Sequence, residues 1–454
     1  MKTSPFVTLS PRRSVLAIGA LMVAILPALE SGVWASTPEA YPAPLEDSQH
    51  EEDMAYLLKE IGERAERVLK AKGINWKKVS RTFQARAKDI SSDQELVDLA
   101  AQLIAELHDG HARFTKVDVE MDGFGEGPRA PCGLNLYEHK GKWHVLRAVG
   151  DAKKAGVEAG WEVVKIDGVK AADWMEEAAA RLTSKRGFST ERASHWIVGT
   201  WGMNGPEGES CSFEFKDVKR KKKKKTLSWR DKAGGDRLYG PVVYPEGLKP
   251  IGKDVAYRKL ESGMGYILAA KVPGDLHEAF DEAIQDMGDI DGLILDFRSN
   301  MGGGYDRDAV LGRFVPEGES FGGEKSAGPN PYTGQIVVLI DPATISAAET
   351  IVGELKEEGR AYLIGPGGTH GASGSKYEVK VPSGKFAIRF VIASNKQRFN
   401  GGKGVEGLGI EPDEIVEYDP KLISAGVDPC ISRAEELLKS ALPKKAVTYV
   451  PPKG

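Results

Sequence analysis

Ser346 stands at a predicted strand–loop–helix junction, a place where a serine hydroxyl can act as a nucleophile. The run over 336–340 is entirely apolar, which predicts a buried strand, and Ile351 and Leu355 are spaced by one helical turn. In one interpretation, Ser346 and Glu349 form the capping box of that helix. In the other, Ser346 is a nucleophile whose oxyanion forms beside free N–H groups at the positive end of the helix dipole. The segment alone favours the cap, because serine is common at this position.

Three consecutive glycines, at 302–304, follow a second predicted strand over 292–297. Glycine lets the backbone approach a ligand closely and donate N–H bonds to an anion. No Gly-Lys-Ser/Thr sequence follows, so a nucleotide phosphate loop is only weakly indicated. A plain strand–helix turn is the structural interpretation of the same glycines.

The elements that position these residues fall into three regions. Helical periodicity over 54–71 and 94–107 predicts a small helical N-terminal domain, and short strands over about 131–229 indicate a compact β-rich module. Strands and helices alternate over about 250–420, which indicates α/β layers. We expect an α/β multidomain fold with an export signal at 1–35, a linker and helical domain at 36–125, the β module at 126–235, the α/β domain at 240–430, and a C-terminal helix and tail at 431–454.

Four motifs in one order resemble those of the C-terminal-processing (tail-specific) serine proteases, a family that includes the tricorn core. They are DFRSNMGG at 296–303, SAAE at 346–349, GRAYLIGPGGTHG at 359–371 and VEGLGIEPDE at 405–414. The resemblance covers most of the chain after the predicted signal. It implies a catalytic α/β domain of ββα-spiral (crotonase-like) type, preceded by a helical region and a PDZ domain.

The resemblance also assigns roles to residues of this chain. The serine of the SAAE motif, Ser346, matches the family's nucleophile. The first glycine of the Asn-x-Gly-Gly element is Gly302, and its N–H together with that of Ala347 is expected to form the oxyanion hole. Each such donor is worth about 3 kcal/mol to a transition state in other serine proteases.

The general base differs from that of the lysine-dyad branch, because Ala372 occupies the position of that branch's lysine. A serine hydroxyl needs a base to be a useful nucleophile near neutral pH. The tricorn-like branch uses a histidine, and its segment matches LHDGHA at 107–112, which places His111 as the base with a near-neutral pKa. Glu406 matches the acid that orients this base. Tricorn has a serine where this chain has Gly110, so the resemblance leaves the link from Glu406 to His111 open.

Each of these residues also has a structural interpretation. A histidine at a helix end commonly caps carbonyl groups, and Glu406 can be a surface turn residue. His370, in the glycine-rich loop, is an alternative base. Lys376 follows Ala372 by four positions and is assigned no role.

The β module resembles a PDZ domain through CGLNL at 132–136 and GVEAGWEVVKIDGVKA at 156–171. The resemblance implies that the N–H groups of Gly133, Leu134, Asn135 and Leu136 receive a peptide's terminal carboxylate while the peptide adds a strand. A module that only positions its neighbours is the alternative.

The resemblance therefore implies a serine protease that cleaves protein or peptide substrates, with C-terminal recognition of the substrate as one mode and no metal or organic cofactor. A catalytically inactive peptide- or ligand-binding protein is the main rival, because the lysine is missing. An envelope protein assembled through the PDZ-like module is a third hypothesis. The net charge of −4 gives no general reason to expect a nucleic-acid partner, and the basic run at 219–225 is interpreted as a solvated hairpin tip or loop.

The N-terminus has the order of an export signal: Arg12 and Arg13, an apolar stretch over 15–29, and small residues before Ser36. We expect a periplasmic, envelope or secreted protein, with membrane association only if this segment is not cleaved. The cysteines, Cys132, Cys211 and Cys430, match no zinc pattern. A Cys132–Cys211 bridge and free buried thiols are both compatible with the sequence.

Overall fold

Helices form the first part of the chain. The computed structural model describes residues 47–119, 129–230, 240–321, 323–395, 398–440 and 442–443, so the predicted export signal and the linker at 36–46 lie outside it. The helices are α1 (Asp47–Arg64), α2 (Glu66–Ala71), α3 (Trp76–Ala87) and α4 (Asp93–Glu106), followed by strand β1 (Arg113–Val117). The predicted helix over 54–71 is thus two helices that meet at Ala65. Ser92 caps α4, because its hydroxyl accepts the Glu95 N–H at 3.2 Å.

A β-rich module follows. It comprises β2 (Arg129–Ala130), β3 (Leu134–His139), β4 (Lys142–Ala148), α5 (Gly150–Lys154), β5 (Glu162–Ile166), β6 (Val169–Lys170), α6 (Ala171–Thr183), α7 (Glu191–Val198), β7 (Gly205–Pro206), β8 (Ser210–Lys216) and β9 (Lys222–Ser228). Its main sheet has the order β3-β4-β5-β8-β9, with β6 paired to β5. A short 3₁₀ helix, Trp201–Met203, follows α7. Because β3 is the first strand in this order, it lies at an edge of the sheet. The end of α7 packs beside it.

The remaining elements form the α/β region. They are β10 (Lys249–Ile251), β11 (Val255–Lys259), β12 (Gly265–Ala269), α8 (Leu276–Met287), β13 (Leu293–Asp296), α9 (Arg307–Gly312), β14 (Ser320–Phe321), β15 (Glu324–Lys325), β16 (Ile336–Leu339), α10 (Ala347–Glu357), β17 (Tyr362–Gly365), β18 (Gly374–Lys380), β19 (Phe386–Ser394), β20 (Glu414–Ile415), α11 (Pro420–Ser424) and α12 (Pro429–Lys439). A seven-stranded sheet has the order β10-β11-β12-β13-β16-β17-β20 and is parallel from β12 to β20.

The central parallel strands are apolar throughout because both faces of the sheet are covered. All four residues of β13 and of β16 are buried. Helix α8 buries Leu276, Phe280 and Met287 against one face, and α12 packs Leu437 and Leu438 among residues of the other face. The carboxyl ends of β13, β16 and β17 consequently meet at one edge of the sheet, where parallel sheets of this kind place their ligands.

The helical region does not have a core of its own. Strand β1 pairs with β19, which pairs with β18. Phe386, Ile388 and Phe390 of β19 lie in the same apolar cluster as Leu57 and Ile104 of the helices. The hairpin β18–β19 therefore joins the helical region to the α/β region.

Buried ion pairs fix the segment after β13. The Arg298 guanidinium is fully buried, and it contacts Asp296 at 2.6 Å and Asp428 at 2.9 Å. Replacing one member of such a network leaves an uncompensated buried charge, which costs about 3–5 kcal/mol. The network holds the start of the glycine-rich turn.

The structure also bears on the cysteines, the basic run and the question of a membrane-spanning helix. All three cysteines are free and buried, so no Cys132–Cys211 bridge forms. The basic run starts in the β8–β9 turn but continues along strand β9 from Lys222, so it is not confined to a hairpin tip. Among the residues that the structure describes, no helix has both the length and the apolar character needed to cross a bilayer.

Candidate active site

Ser346 lies between β16 and α10, as the sequence predicts. Ser346 is the N-cap residue and Glu349 the N3 residue of α10, the Glu349 carboxylate accepts the Ser346 N–H as in a capping box, and Ser346 has φ +66° and ψ −125°. This backbone conformation is strained for a residue with a Cβ atom and persists only where the surroundings fix it. Strained serines at strand–helix turns are typical of nucleophiles held out for attack. The capping and nucleophile interpretations are therefore compatible.

The Glu349 carboxylate organises the loops around Ser346. Its Oε2 accepts the N–H groups of Ser346 (2.9 Å) and Ala372 (3.0 Å). Its Oε1 accepts the Thr369 hydroxyl (2.6 Å) and the Gly371 N–H (2.7 Å). Burial raises the pKa of Glu349 to about 7 despite these donors. One buried carboxylate thus holds the nucleophile turn and the loop 369–372 together.

Gly302 lies directly against Ser346. A Cβ atom added to Gly302 would lie 2.6 Å from Ser346 Cβ and 3.2 Å from Ala347 N, so only glycine fits here. Ala347 is the first residue of α10, and such a residue has no partner for its N–H within the helix. The Gly302 N–H, however, donates to Asn300 Oδ1 at 2.8 Å. It must leave or share this acceptor to bind an oxyanion.

Ala372 connects the nucleophile turn to the segment that carries His111. Its carbonyl accepts the Ser346 N–H at 3.0 Å. A Cβ added to Gly110 would lie 3.1 Å from Ala372 Cβ and 2.3 Å from His370 Cε1. The backbone at Gly110, immediately before His111, therefore packs directly on Ala372, whose carbonyl accepts the Ser346 N–H. A lysine at 372, as in the lysine-dyad branch, would have to displace this packing.

Both candidate histidines are buried, with exposures of 7% for His111 and 6% for His370. Neither Nδ1 atom has a hydrogen-bond partner among the described residues. Burial is the main reason that the pKa of His111 is lowered to about 4 and that of His370 to about 3. Both imidazoles are therefore neutral near pH 7, the state that a general base requires.

The two histidines differ in their acidic neighbours. Asp109 acts to raise the pKa of His111, whereas no carboxylate is a main influence on the pKa of His370. Ligand atoms of Asp109, His111 and Glu406 lie within 4.8 Å of one another. A base that gains a proton needs such an acid to stabilise its charged form, and His111 has two.

Glu406 is held by residues from distant parts of the chain. Its Oε1 accepts Lys72 Nζ at 2.7 Å and the Ser189 hydroxyl at 3.2 Å, and its Oε2 accepts the Ser373 N–H at 3.0 Å. The Asp109 carboxylate accepts the N–H groups of His111 (2.8 Å) and Val391 (2.7 Å). The three clustered groups have the chemistry of metal ligands, but both carboxylates are already satisfied by N–H, O–H and ammonium donors. We assign no metal to this cluster.

A short segment of the β module, residues 187–192, reaches into this site. The Gly110 N–H donates to Ser189 Oγ at 2.9 Å, and the Ser189 hydroxyl donates on to Glu406. Phe188 stacks on His370 with ring centroids 6.2 Å apart, and Thr190 Oγ1 donates to the His370 carbonyl at 2.9 Å. Tricorn has a serine at the position of Gly110. In this chain, Ser189 from another part of the sequence links Gly110 to Glu406 instead.

Lys376 lies on β18, opposite Val391 of β19, and its side chain is exposed. Desolvation lowers its pKa, and its positive charge contributes to the lowered pKa of His111. Lys376 is therefore close enough to act electrostatically on the site, and no hydrogen bond joins it to Ser346 in the described residues.

The loop expected to receive a peptide carboxylate is closed in this structure. Gly133, Leu134, Asn135 and Leu136 are all buried. The Leu136 N–H donates to the Gly199 carbonyl at 2.7 Å, because the end of α7 packs on this edge. The Leu136 N–H is therefore occupied, and its use for a peptide carboxylate would require the end of α7 to move away.

The sequence patterns did not indicate Asp109, Ser189, Lys72 or the full role of Glu349. Asp109 had a local signal, since it precedes His111 by two residues in a tight turn. Ser189 and Lys72 had none, because they meet Glu406 only across sequence separations of 217 and 334 residues.

Known proteins that are similar to this chain include peptidases. Residues 263–416 match Peptidase family S41. A carboxyl-terminal-processing protease of Picosynechococcus sp. is 23% identical over 363 residues, which cover 76% of this chain and 78% of that relative. A tricorn protease of Thermoplasma volcanium is 26% identical over 164 residues, which cover 34% of this chain and 15% of that protein. The crystal structure of mature CPAF aligns with a TM-score of 0.63 at 14% identity, covering 87% of this chain and 97% of that one, which shows a shared fold.

Proposed function

Because residues 263–416 form a domain of peptidase family S41, the chain is a serine-type peptidase, and we propose that it is exported, with Ser346 as nucleophile and His111 as general base. The observation that supports this most strongly is the packing through Ala372. Its carbonyl binds the Ser346 N–H, and its methyl group contacts the backbone at Gly110, one residue before His111. Proteins and peptides are the substrates, as the processing-protease relatives imply.

In the proposed reaction, Ser346 Oγ attacks the peptide carbonyl while its proton passes to His111. The resulting oxyanion accepts the N–H of Ala347 and, once it has turned from Asn300, that of Gly302. Collapse of this intermediate breaks the C–N bond, and His111 returns the proton to the leaving amine. Water then hydrolyses the acyl-enzyme by the same route, which restores Ser346.

Glu406 and Asp109 stabilise His111 when it carries the proton. We assign the base to His111 rather than His370 because ligand atoms of Asp109 and Glu406 lie within 4.8 Å of that of His111, whereas no carboxylate is a main influence on the pKa of His370. Ser189 and Lys72 are positioning residues, since they contact Glu406 and not the reacting atoms. Ser189 binds both Glu406 and the Gly110 N–H. It thereby fixes the position of His111 relative to Glu406.

We extend this proposal to the domains of the chain. The parallel sheet with its glycine-rich turn is the ββα-spiral (crotonase-like) catalytic domain of 240–430, and the β module of 126–235 is PDZ-like, with a closed peptide loop at 133–136. The boundaries at 36–125 and 431–454 enclose the helical region and the C-terminal helix and tail. Export is supported by the N-terminal order of Arg12, Arg13 and the apolar run over 15–29.

Labelling with a serine-reactive fluorophosphonate tests this function. The wild-type protein should be labelled at Ser346, identified by peptide mass analysis, and Ser346→Ala should not be labelled. Ser375→Ala, an exposed serine on β18, is the matched control and should be labelled as the wild type is. Absence of label on a folded wild-type protein would favour the non-catalytic binding protein.

A further inference from the structure

Two hairpin turns of the β module meet at one end of its main sheet. The β3–β4 turn lies at 140–141, and the β8–β9 turn lies at 217–221. Glu162, the first residue of β5, joins the two hairpins, because its carboxylate contacts Lys142 Nζ at 3.6 Å and also the Arg220 guanidinium. The basic residues at this end of the sheet, which we call the basic tips, are Lys140, Lys142, Lys219, Arg220, Lys221 and Lys222.

The basic tips keep most of their positive charge after the internal ion pairs are counted. The single Glu162 carboxylate is shared by three cations, since Lys216 Nζ also lies 3.9 Å from it. Asp217 folds its own turn, where its Oδ1 accepts the N–H groups of Lys219 (2.9 Å) and Lys221 (2.8 Å). Four lysine side chains form no ion pair within the described part of the chain: Lys140, Lys219, Lys221 and Lys222.

The basic tips face solvent and surround an apolar side chain. All six of their basic residues are exposed. Val218 lies in the same β8–β9 turn, and 38% of it is exposed. Clustered cations beside an exposed apolar side chain are typical of surfaces that bind the headgroup layer of a membrane.

Protection of a sheet edge explains only part of this charge. Lysines on an edge strand commonly prevent pairing with another chain. That explanation applies to β9, which is the last strand of the sheet. It does not apply to Lys142, because β4 is paired with β3 on one side and with β5 on the other. The positive charge therefore follows the end of the sheet, where the two turns lie, rather than its edge.

The chemistry of the basic tips favours a phospholipid surface over other polyanions. Five of the six basic residues are lysines, and an ammonium group attracts phosphate without requiring one fixed geometry. The headgroups of a bilayer present many phosphate groups in one plane, so both turns can bind at the same time. Nucleic acids and acidic polypeptides also attract lysine, but neither has an apolar layer beneath its charges to receive Val218.

We propose that the basic tips bind the surface of a bilayer that contains anionic phospholipids, with Val218 entering the headgroup region. This contact is peripheral and does not depend on the proposed peptidase function. It differs from the expectation from sequence, in which only the N-terminal segment associates with a membrane.

Cosedimentation of the full-length protein with lipid vesicles tests the proposal. Vesicles of phosphatidylcholine with about one third phosphatidylglycerol should bind the protein at least about tenfold more tightly than vesicles of phosphatidylcholine alone. The neutral vesicles account for any binding through the apolar stretch over 15–29. Added salt should weaken the binding to anionic vesicles. Equal affinity for the two kinds of vesicle would overturn the proposal.

Variants locate the contact on the protein. Replacing all four unpaired lysines of the basic tips by glutamine should lower the affinity for anionic vesicles by at least about tenfold. The matched control replaces four exposed lysines of the helical region by glutamine and should stay within about twofold of the wild type: Lys59, Lys70, Lys77 and Lys88. An unchanged affinity in the first variant, or an equal loss in the control, would overturn the proposal.

Val218→Ser tests the apolar part of the contact. It should weaken binding to anionic vesicles by about threefold, because less apolar surface enters the headgroup region. Val169→Ser is the matched control, since Val169 is 40% exposed and lies on β6, beside the opposite end of β5 from Glu162. Equal affinities of the two serine variants would exclude the insertion of Val218.

Other polyanions provide the remaining comparison. Fluorescence anisotropy with labelled polyglutamate and with labelled duplex DNA measures their binding to the wild type and to the variant without the four lysines. Both polymers should bind more weakly than the anionic vesicles. If polyglutamate or DNA binds through these lysines while anionic vesicles do not bind, the partner is a polypeptide or a nucleic acid and the proposal is wrong.

Discussion

The Ser189 hydroxyl donates a hydrogen bond to Glu406 across 3.2 Å, although 217 residues separate the two in sequence. The same Ser189 oxygen accepts the Gly110 N–H. One side chain of the β module thus connects the acid of the site to the backbone next to its base. In tricorn, a serine immediately precedes the histidine, and here the hydroxyl comes from another region of the chain.

We predict that Ser189→Ala lowers kcat for an unstructured peptide by about ten- to a hundredfold. The loss follows because both Glu406 and the part-buried Gly110 N–H lose a partner, and a misplacement of about 1 Å can cost that much rate. Ser189→Thr keeps the hydroxyl and should recover most of the rate. Ser194→Ala, on exposed α7 surface with its hydroxyl on the Glu191 carbonyl, is the matched control.

A purely structural role for Ser189 would lower the melting temperature without moving the pH dependence. In our account, Ser189→Ala also shifts the apparent pKa of kcat, because Glu406 no longer keeps its position beside His111. A Ser189→Ala protein with wild-type kcat and pH profile would exclude Ser189 as a positioning residue.

Glu349 should matter for stability as well as for activity. Glu349→Ala removes the acceptor of the Gly371 and Ala372 N–H groups and of the Thr369 hydroxyl, whereas the Ser346 N–H keeps the Ala372 carbonyl. Each buried group left without a partner costs about 1–3 kcal/mol. We predict a loss of at least about 3 kcal/mol in the free energy of unfolding, measured with urea in the Ser346→Ala background. Glu378→Ala removes an exposed carboxylate that contacts Arg389 at 3.2 Å, and it should change stability by about 0.5 kcal/mol or less. Equal stability of the two variants would contradict the role of Glu349.

The pH dependence of kcat/KM reports the free enzyme's base. The sequence alone suggests a midpoint near neutrality, but burial lowers the pKa of His111 to about 4. The base is active when neutral, so the rate should rise with pH through about 4 and then stay level. At pH 5 about 90% of the plateau should remain, whereas an unshifted histidine would leave roughly 3%. Circular dichroism at each pH controls for unfolding, and a rate that still rises above pH 8 would point to Lys376.

The elements that position Ser346 could be predicted from sequence because their signals are local. The apolar run of β16 and the one-turn spacing of Ile351 and Leu355 in α10 reflect burial along a single element. The order of the four motifs predicts Ser346 as the nucleophile, and the structure brings the His111 segment against Ala372. Each of these features depends on residues that are close in sequence or on the order of the four motifs, so each could be predicted.

Other parts depend on contacts between distant segments. Lys72 and Ser189 meet Glu406 only in the folded chain, and the low pKa of His111 results from burial by several elements. The occupied Leu136 N–H follows from the packing of α7 on β3, which no local pattern near 133–136 records. Asn300 accepts the Gly302 N–H over two residues, yet that bond requires a turn conformation that residue types alone do not specify.

The central claim is that His111, and not a lysine, activates Ser346. The most direct test is the initial rate of hydrolysis of one unstructured fluorogenic peptide by the wild type, Ser346→Ala, His111→Ala and Lys376→Ala. Members of one catalytic unit are not additive, so His111→Ala should lose nearly as much kcat as Ser346→Ala, by about a thousandfold or more. Lys376→Ala should stay within about twofold of the wild type, because exposed Lys376 acts on the site only through its charge. If Lys376→Ala abolishes hydrolysis while His111→Ala keeps most of it, His111 is not the base and the account is wrong.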